Sequence, residues 1–290
     1  MHQITSGPLC LHRLRKYKMA LVLENGVWKL QADGTGPTST TIWSVDFSTV
    51  SDHNFMSTST LSLEGVTFTA ENASAIYATQ FQVDSGVLKI EPKIGNSYLN
   101  GTFTAPQLSA QWADLMAYGA SGAYNTEKRY VWRWIFSSAV ALSAAESHYG
   151  GALGGIRTDR TTINKDLGFQ LSQWGYWAFQ KGASQDKTVN SALTNITGSY
   201  RSQAISYGNG SFSALASQST EKDVAFGGLP IWTGYTTAAD TNEGFRKLPA
   251  PPDTLDLSDS GAQAYVGAYW ATGWTTTITS IERLELHEVG

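Results

Sequence analysis

The chain is nearly devoid of cysteine: Cys10 is the only one in 290 residues. A single thiol closes no internal disulfide, so the fold stands on its core and needs no oxidising compartment. Charge is scarce too, with Asp, Glu, Lys and Arg at 15% and a formal net charge of −4. Four of the basic residues, Arg13, Arg15, Lys16 and Lys18, fall in the first eighteen positions, which hold no acid. The rest is therefore more acidic than the total suggests, which argues against a nucleic-acid clamp. No run approaches the roughly 18 consecutive apolar residues of a membrane span. The basic start has no continuous apolar segment behind it, so no signal peptide is expected. The five histidines (His2, His12, His53, His148, His287) are scattered, without the H-E-x-x-H spacing that aims two imidazoles at one ion. Glycines at 150, 151, 154 and 155 do not form a phosphate-cradling pattern and predict a bend or bulge. Neither metal nor cofactor is expected.

What is abundant is aromatic and β-forming. The chain carries 10 Trp, 13 Tyr and 11 Phe beside 28 Gly, with 41% hydrophobic residues, the composition of a Gly-punctuated β protein able to bury a full core. Residues 1–18 read as a basic, flexible arm, either a solvated tail or an anchor onto an acidic partner surface. Residues 19–40 hold a short strand and a Gly/Pro/Ser/Thr linker, and the main domain is expected over 41–290. Alternation predicts strands over 42–47, 61–63 with 66–69, 76–83, 87–90, 111–118, 129–136, 167–180, 224–226 and 229–232. Asp84-Ser85-Gly86 signals a hairpin. In the strand over 129–136, Tyr130, Trp132 and Trp134 share one face while Arg129, Val131, Arg133 and Ile135 share the other. Two runs, 264–270 and 277–288, are expected to face each other as a terminal pair.

A dozen short strands without a sustained helix predict an all-β fold, a two-sheet antiparallel β-sandwich. The early Trp43-Ser44-Val45-Asp46-Phe47 strand, the hairpin over 81–90, the strand over 129–136 and the terminal pair resemble the concanavalin A-like lectin and glucanase jelly rolls. The resemblance spans about residues 41–288. The Gly/Ser/Thr/Asn-rich, low-charge texture also looks like the jelly-roll virion proteins of tailed bacteriophages.

Glucanases of this family place carboxylates in an E-x-D-x-x-E pattern on one strand. Glu221-Lys222-Asp223 begins that way, but Phe226 stands where the last acid belongs, so no catalytic residue is assigned. Around Glu282, strict alternation puts Glu282, Leu284, Leu286 and Glu288 on one face and Arg283, Glu285 and His287 on the other, a cross-strand charge ladder. Sugar rings stack their C–H faces on Trp and Tyr beside polar side chains. Aromatics next to glycines and polar turns therefore make the glycan-binding candidates: Trp232, Tyr235, Trp274 and Tyr176, with Arg133 and Arg246 as polar partners.

The expected function is that of a non-enzymatic virion component of a tailed bacteriophage, in a capsid decoration, fibre or tail. It would assemble with copies of itself and other virion proteins, with host-surface polysaccharide as a candidate ligand. Its expected location is the virion, after synthesis in the host cytoplasm. Two alternatives stay open: a polysaccharide-cleaving hydrolase or lyase of the same fold, and a free-standing lectin module.

Overall fold

A computed structural model describes residues 19–24, 27–32, 39–93, 105–119, 122–138, 150–158, 165–172, 175–182, 187–191, 200–208, 211–219, 255–270 and 278–289. The chain divides into one unit of residues 1–40 with 289–290 and another of residues 41–288. In the first, β1 (Met19–Glu24) and β2 (Val27–Ala32) pair antiparallel, from Met19 opposite Ala32 to Glu24 opposite Val27.

The second unit is built on two eight-stranded antiparallel sheets. The first runs β16 (Ser211–Ser219), β15 (Tyr200–Gly208), β10 (Arg129–Ser138), β18 (Thr279–Val289), β8 (Val87–Pro92), β7 (Ala78–Asp84) and β4 (His53–Asn54), with β3 (Ser39–Asp46) also paired to β18. The second runs β14 (Lys187–Ser191), β13 (Gly175–Gly182), β12 (Lys165–Ser172), β11 (Gly150–Arg157), β17 (Gln263–Trp270), β9 (Gln107–Gln111), β6 (Val66–Glu71) and β5 (Thr60–Leu63). This is the expected jelly-roll sandwich. Two tight hairpins set its registers. Glu64-Gly65 has φ of 46° and 82°, and Ser85-Gly86 has 55° and 77°. Positive φ at both central residues is the turn whose twist matches that of paired strands.

Between the sheets lies an aromatic core. Trp43 stacks on Phe68 at 5.3 Å and on Trp132 at 6.2 Å, and Trp112 meets Tyr130 edge-on at 6.0 Å. Tyr130, Trp132, Trp134 and Phe136, alternate residues of β10, are all buried, as the alternation predicts. The Trp132 indole N–H donates to the carbonyl of Tyr265 at 3.0 Å and so links the two sheets. A buried indole without such an acceptor would carry the cost of its lost hydration.

Several expectations are corrected. The terminal runs do not pair: β17 lies between β11 and β9 in the second sheet, and β18 between β10 and β8 in the first. Both edges of each strand are taken by other partners. The run over 167–180 is not one strand but the hairpin of β12 and β13, with Ser172 opposite Gly175. The run over 111–118 is strand only to Gln111, after which Trp112–Met116 forms a helical turn, α1. Helical spacing wins there because it buries Trp112, Leu115 and Met116 together, at i, i+3 and i+4. The expected strands over 224–226 and 229–232 lie outside the described residues.

The glycine-rich stretch predicted as a bend is the strand β11, paired on both edges. Glycine is required at one point: a Cβ on Gly154 would lie 2.8 Å from two ring carbons of the buried Trp134. Neither the ring nor the doubly paired strand can yield freely. Gly154→Ala is expected to lower stability by about 1–3 kcal/mol, read as a shift in the denaturant midpoint with unchanged slope.

Candidate functional site

The alternation that sends Trp132 and Trp134 inward sends Arg133 and Ser137 to the outer face of the first sheet. There Arg133 Nη1 donates to Glu285 Oε2 at 2.8 Å and its Nε donates to Ser202 Oγ at 2.6 Å. Four residues along β10, the Ser137 hydroxyl donates to Glu282 Oε1 at 2.9 Å. Arg133 and Ser137 share a face, so their partners do too, although Glu282 and Glu285 are an odd number of residues apart. Strict alternation therefore fails within β18, and the face assignment made for Glu282 from sequence is corrected. The break lies between Ile281 and Leu284, both fully buried in the core and three residues apart instead of two.

His287 completes the group. Its Nε2 lies 2.9 Å from Glu285 Oε2 and its Nδ1 lies 3.0 Å from the Thr41 hydroxyl on β3. An ionised carboxylate only accepts, so Nε2 carries a proton and the ring is held between two fixed partners. Arg133, Glu285 and His287 are each less than 10% exposed. Burial works to raise the Glu285 pKa, but the His287 hydrogen bond and the Arg133 charge together outweigh it, leaving the carboxyl below its ordinary range. A general acid for glycoside cleavage needs the opposite, a proton retained at neutral pH. Around this centre the charge ladder continues, with Arg283 on Asp46 at 3.0 Å and Lys128 on Glu288 at 2.6 Å.

The outer face of the second sheet holds a comparable network that sequence reasoning missed. Arg157, ending β11, reaches both oxygens of Glu71 from Nη2, at 2.9 and 3.1 Å. It also donates to Gln263 and Gln107, and its guanidinium lies 5.0 Å from the centre of the Tyr265 ring. Gln107 and Ser109 in turn donate to Glu71, each at 2.8 Å. A cleft of about 440 Å³ is lined by Thr49–Asp52, His53, the β5 residues Leu61, Ser62 and Leu63, and Glu64. Its Asp52 already accepts from the Ser85 N–H, and its His53 Nε2 contacts the Thr58 carbonyl.

Of the glycan-binding candidates, Trp232, Tyr235, Arg246 and Trp274 lie outside the described residues. Tyr176 is placed on β13 by its backbone, opposite Leu171 and Ser191. Arg133 lies in the buried network above. Among the described residues, no group of three His, Cys, Asp or Glu could hold a metal ion, and no helix is long and apolar enough to cross a membrane.

Fold and site together define an all-β, two-sheet jelly-roll protein whose outer faces carry buried ion-pair networks. No family model and no curated protein matches the chain. Among solved structures it is similar to the CBM2 module of the evolved Dit protein of Lactobacillus casei phage J-1, at 8% identity over 88% of this chain and 98% of that one, with a TM-score of 0.46. It is also similar to a family GH16 endo-β-1,3(4)-glucanase, at 8% identity over 87% and 94%, TM-score 0.45. A family-7 alginate lyase matches at 10% identity over 75% and 85%, TM-score 0.37.

Proposed function

We propose that the protein is a non-enzymatic structural component of a tailed-bacteriophage virion that binds host-surface polysaccharide. The observation that supports the non-enzymatic part is the commitment of the Glu285 carboxylate to Arg133 at 2.8 Å and His287 at 2.9 Å, an arrangement that suits a structural ion pair better than a proton donor. The virion assignment draws on the sequence texture, which is Gly-rich and low in charge with one cysteine. Binding falls to Trp232, Tyr235, Trp274 and Tyr176, with Arg246 as polar partner. Arg133 contributes by holding the face rigid. The competing reading, a polysaccharide-cleaving enzyme, draws on Glu282 and Glu285 sharing one face.

Retention on immobilised bacterial surface polysaccharides tests the binding role. Trp232→Ala and Trp274→Ala are each expected to weaken retention about tenfold or more, the loss that follows removal of a stacked aromatic anchor. Undiminished retention in both variants, or no retention by the parent chain on any polymer, would remove the glycan part of the proposal.

A further inference from the structure

Edge strands expose unpaired N–H and C=O groups, and proteins guard them by shortness, lysine, proline or bulges. Five strands of the two sheets have a single neighbour among the described residues; β3, beside β18, ends on the charged Asp46, and three of the other four fit that rule. β4 has two residues, β5 has four and closes directly into its hairpin turn, and β14 has five and begins with Lys187. β16 does not. It has nine residues, Ser211-Phe212-Ser213-Ala214-Leu215-Ala216-Ser217-Gln218-Ser219, without a charge or a proline. It pairs along its whole length with β15, from Tyr200 opposite Ser219 to Gly208 opposite Ser211. Among the described residues it has no second neighbour.

The sequence of β16 is also palindromic about Leu215, apart from Phe212 and Gln218. Self-complementarity is what a two-fold interface requires, because the same patch must serve both sides. Antiparallel pairing of β16 with itself, centred on Leu215, puts Ser211 opposite the second copy's Ser219 and Ser213 opposite its Ser217. Ala214 then faces Ala216, and Leu215 faces Leu215. No like charges meet, and small residues oppose small residues at most positions, so both backbones can approach to hydrogen-bonding distance. A different partner strand would have no reason to need this symmetry.

We infer that β16 is a homodimerisation edge, joining the first sheets of two copies of this chain into one continuous antiparallel sheet across a two-fold axis. Main-chain hydrogen bonds supply the association, as in other strand additions, and Leu215 fixes the register. The inference deepens the structural-component part of the proposed function and rests on no glycan contact, so its failure would leave polysaccharide retention unchanged.

Sedimentation velocity of the full chain is expected to show a species of twice the 31.4 kDa chain mass. Leu215→Lys sets two like charges directly opposite and is expected to raise the dimer dissociation constant about tenfold or more. Because that variant could perturb the strand itself, a second measurement is independent of it. In a Cys10→Ser background, Leu215→Cys is expected to oxidise to a cross-linked dimer, since opposed strand positions bring Cβ atoms near disulfide range. Ser211→Cys, whose opposite residue is Ser219, is expected not to cross-link. A chain that stays monomeric throughout overturns the inference. A dimer indifferent to Leu215→Lys that fails to cross-link through Leu215→Cys places the interface elsewhere and overturns it equally.

Discussion

Arg157→Ala is expected to destabilise the protein by about 3–5 kcal/mol, the range for removing one partner of a buried ion pair. The Arg157 and Glu71 side chains are 3% and 4% exposed, so the carboxylate left behind could not recover its hydration. The loss would exceed one interaction, because the same guanidinium serves Gln107 and Gln263 and lies against the Tyr265 ring. Equilibrium denaturation gives the cost directly. Pairing the substitution with Glu71→Gln is expected to cost less than the sum of the two single changes, since the double variant buries no uncompensated charge. Additive losses would mean that Arg157 and Glu71 do not act as a pair.

Arg133→Ala on the other sheet is expected to cost a similar amount, about 3–5 kcal/mol, by exposing Glu285 to the same imbalance. This network adds a pH dependence. The folded-state pKa of Glu285 lies below its ordinary value of 4.5, because His287 and Arg133 favour the charged form by more than burial opposes it. A depressed carboxyl pKa contributes stability that is fully present above the unfolded-state value. That contribution disappears as pH falls from there through the folded-state pKa. The parent chain is therefore expected to lose stability below about pH 4.5, while Glu285→Gln, weaker at neutral pH, shows a flatter acid limb in the same range. Parallel acid limbs in the two proteins would remove Glu285 from the account of acid sensitivity.

The sequence makes the class of fold and the inward face of β10 legible, because alternating aromatics leave one arrangement for a half-buried strand. It marks the hairpin at Ser85-Gly86 for an equally local reason. The features it hides are those decided by distant partners. Gly154 looks like a breaker until the Trp134 ring is set against it. Trp112 to Met116 carries both strand and helix spacings, and only burial of three side chains at once decides between them. The pairing of β17 with β11 and β9, and of β18 with β10 and β8, depends on which strands arrive on either side, not on the polar connection between them. For the site, Arg133 could be assigned a face from sequence. Its partner Glu285 could not be joined with Glu282, because the break in alternation within β18 lies in the spacing of Ile281 and Leu284 and not in the acids themselves.

The acids of the outer face are proposed to serve structure, and the chain is proposed to bind polysaccharide without cutting it. The direct test follows polymer length and reducing ends while the full chain is incubated with the bacterial surface polysaccharides that retain it. Retention with no shortening and no new chain ends is the predicted result. Shortening or new chain ends would contradict the account, and their loss in a Glu282→Gln or Glu285→Gln variant that remains folded would assign the cleavage to those carboxylates.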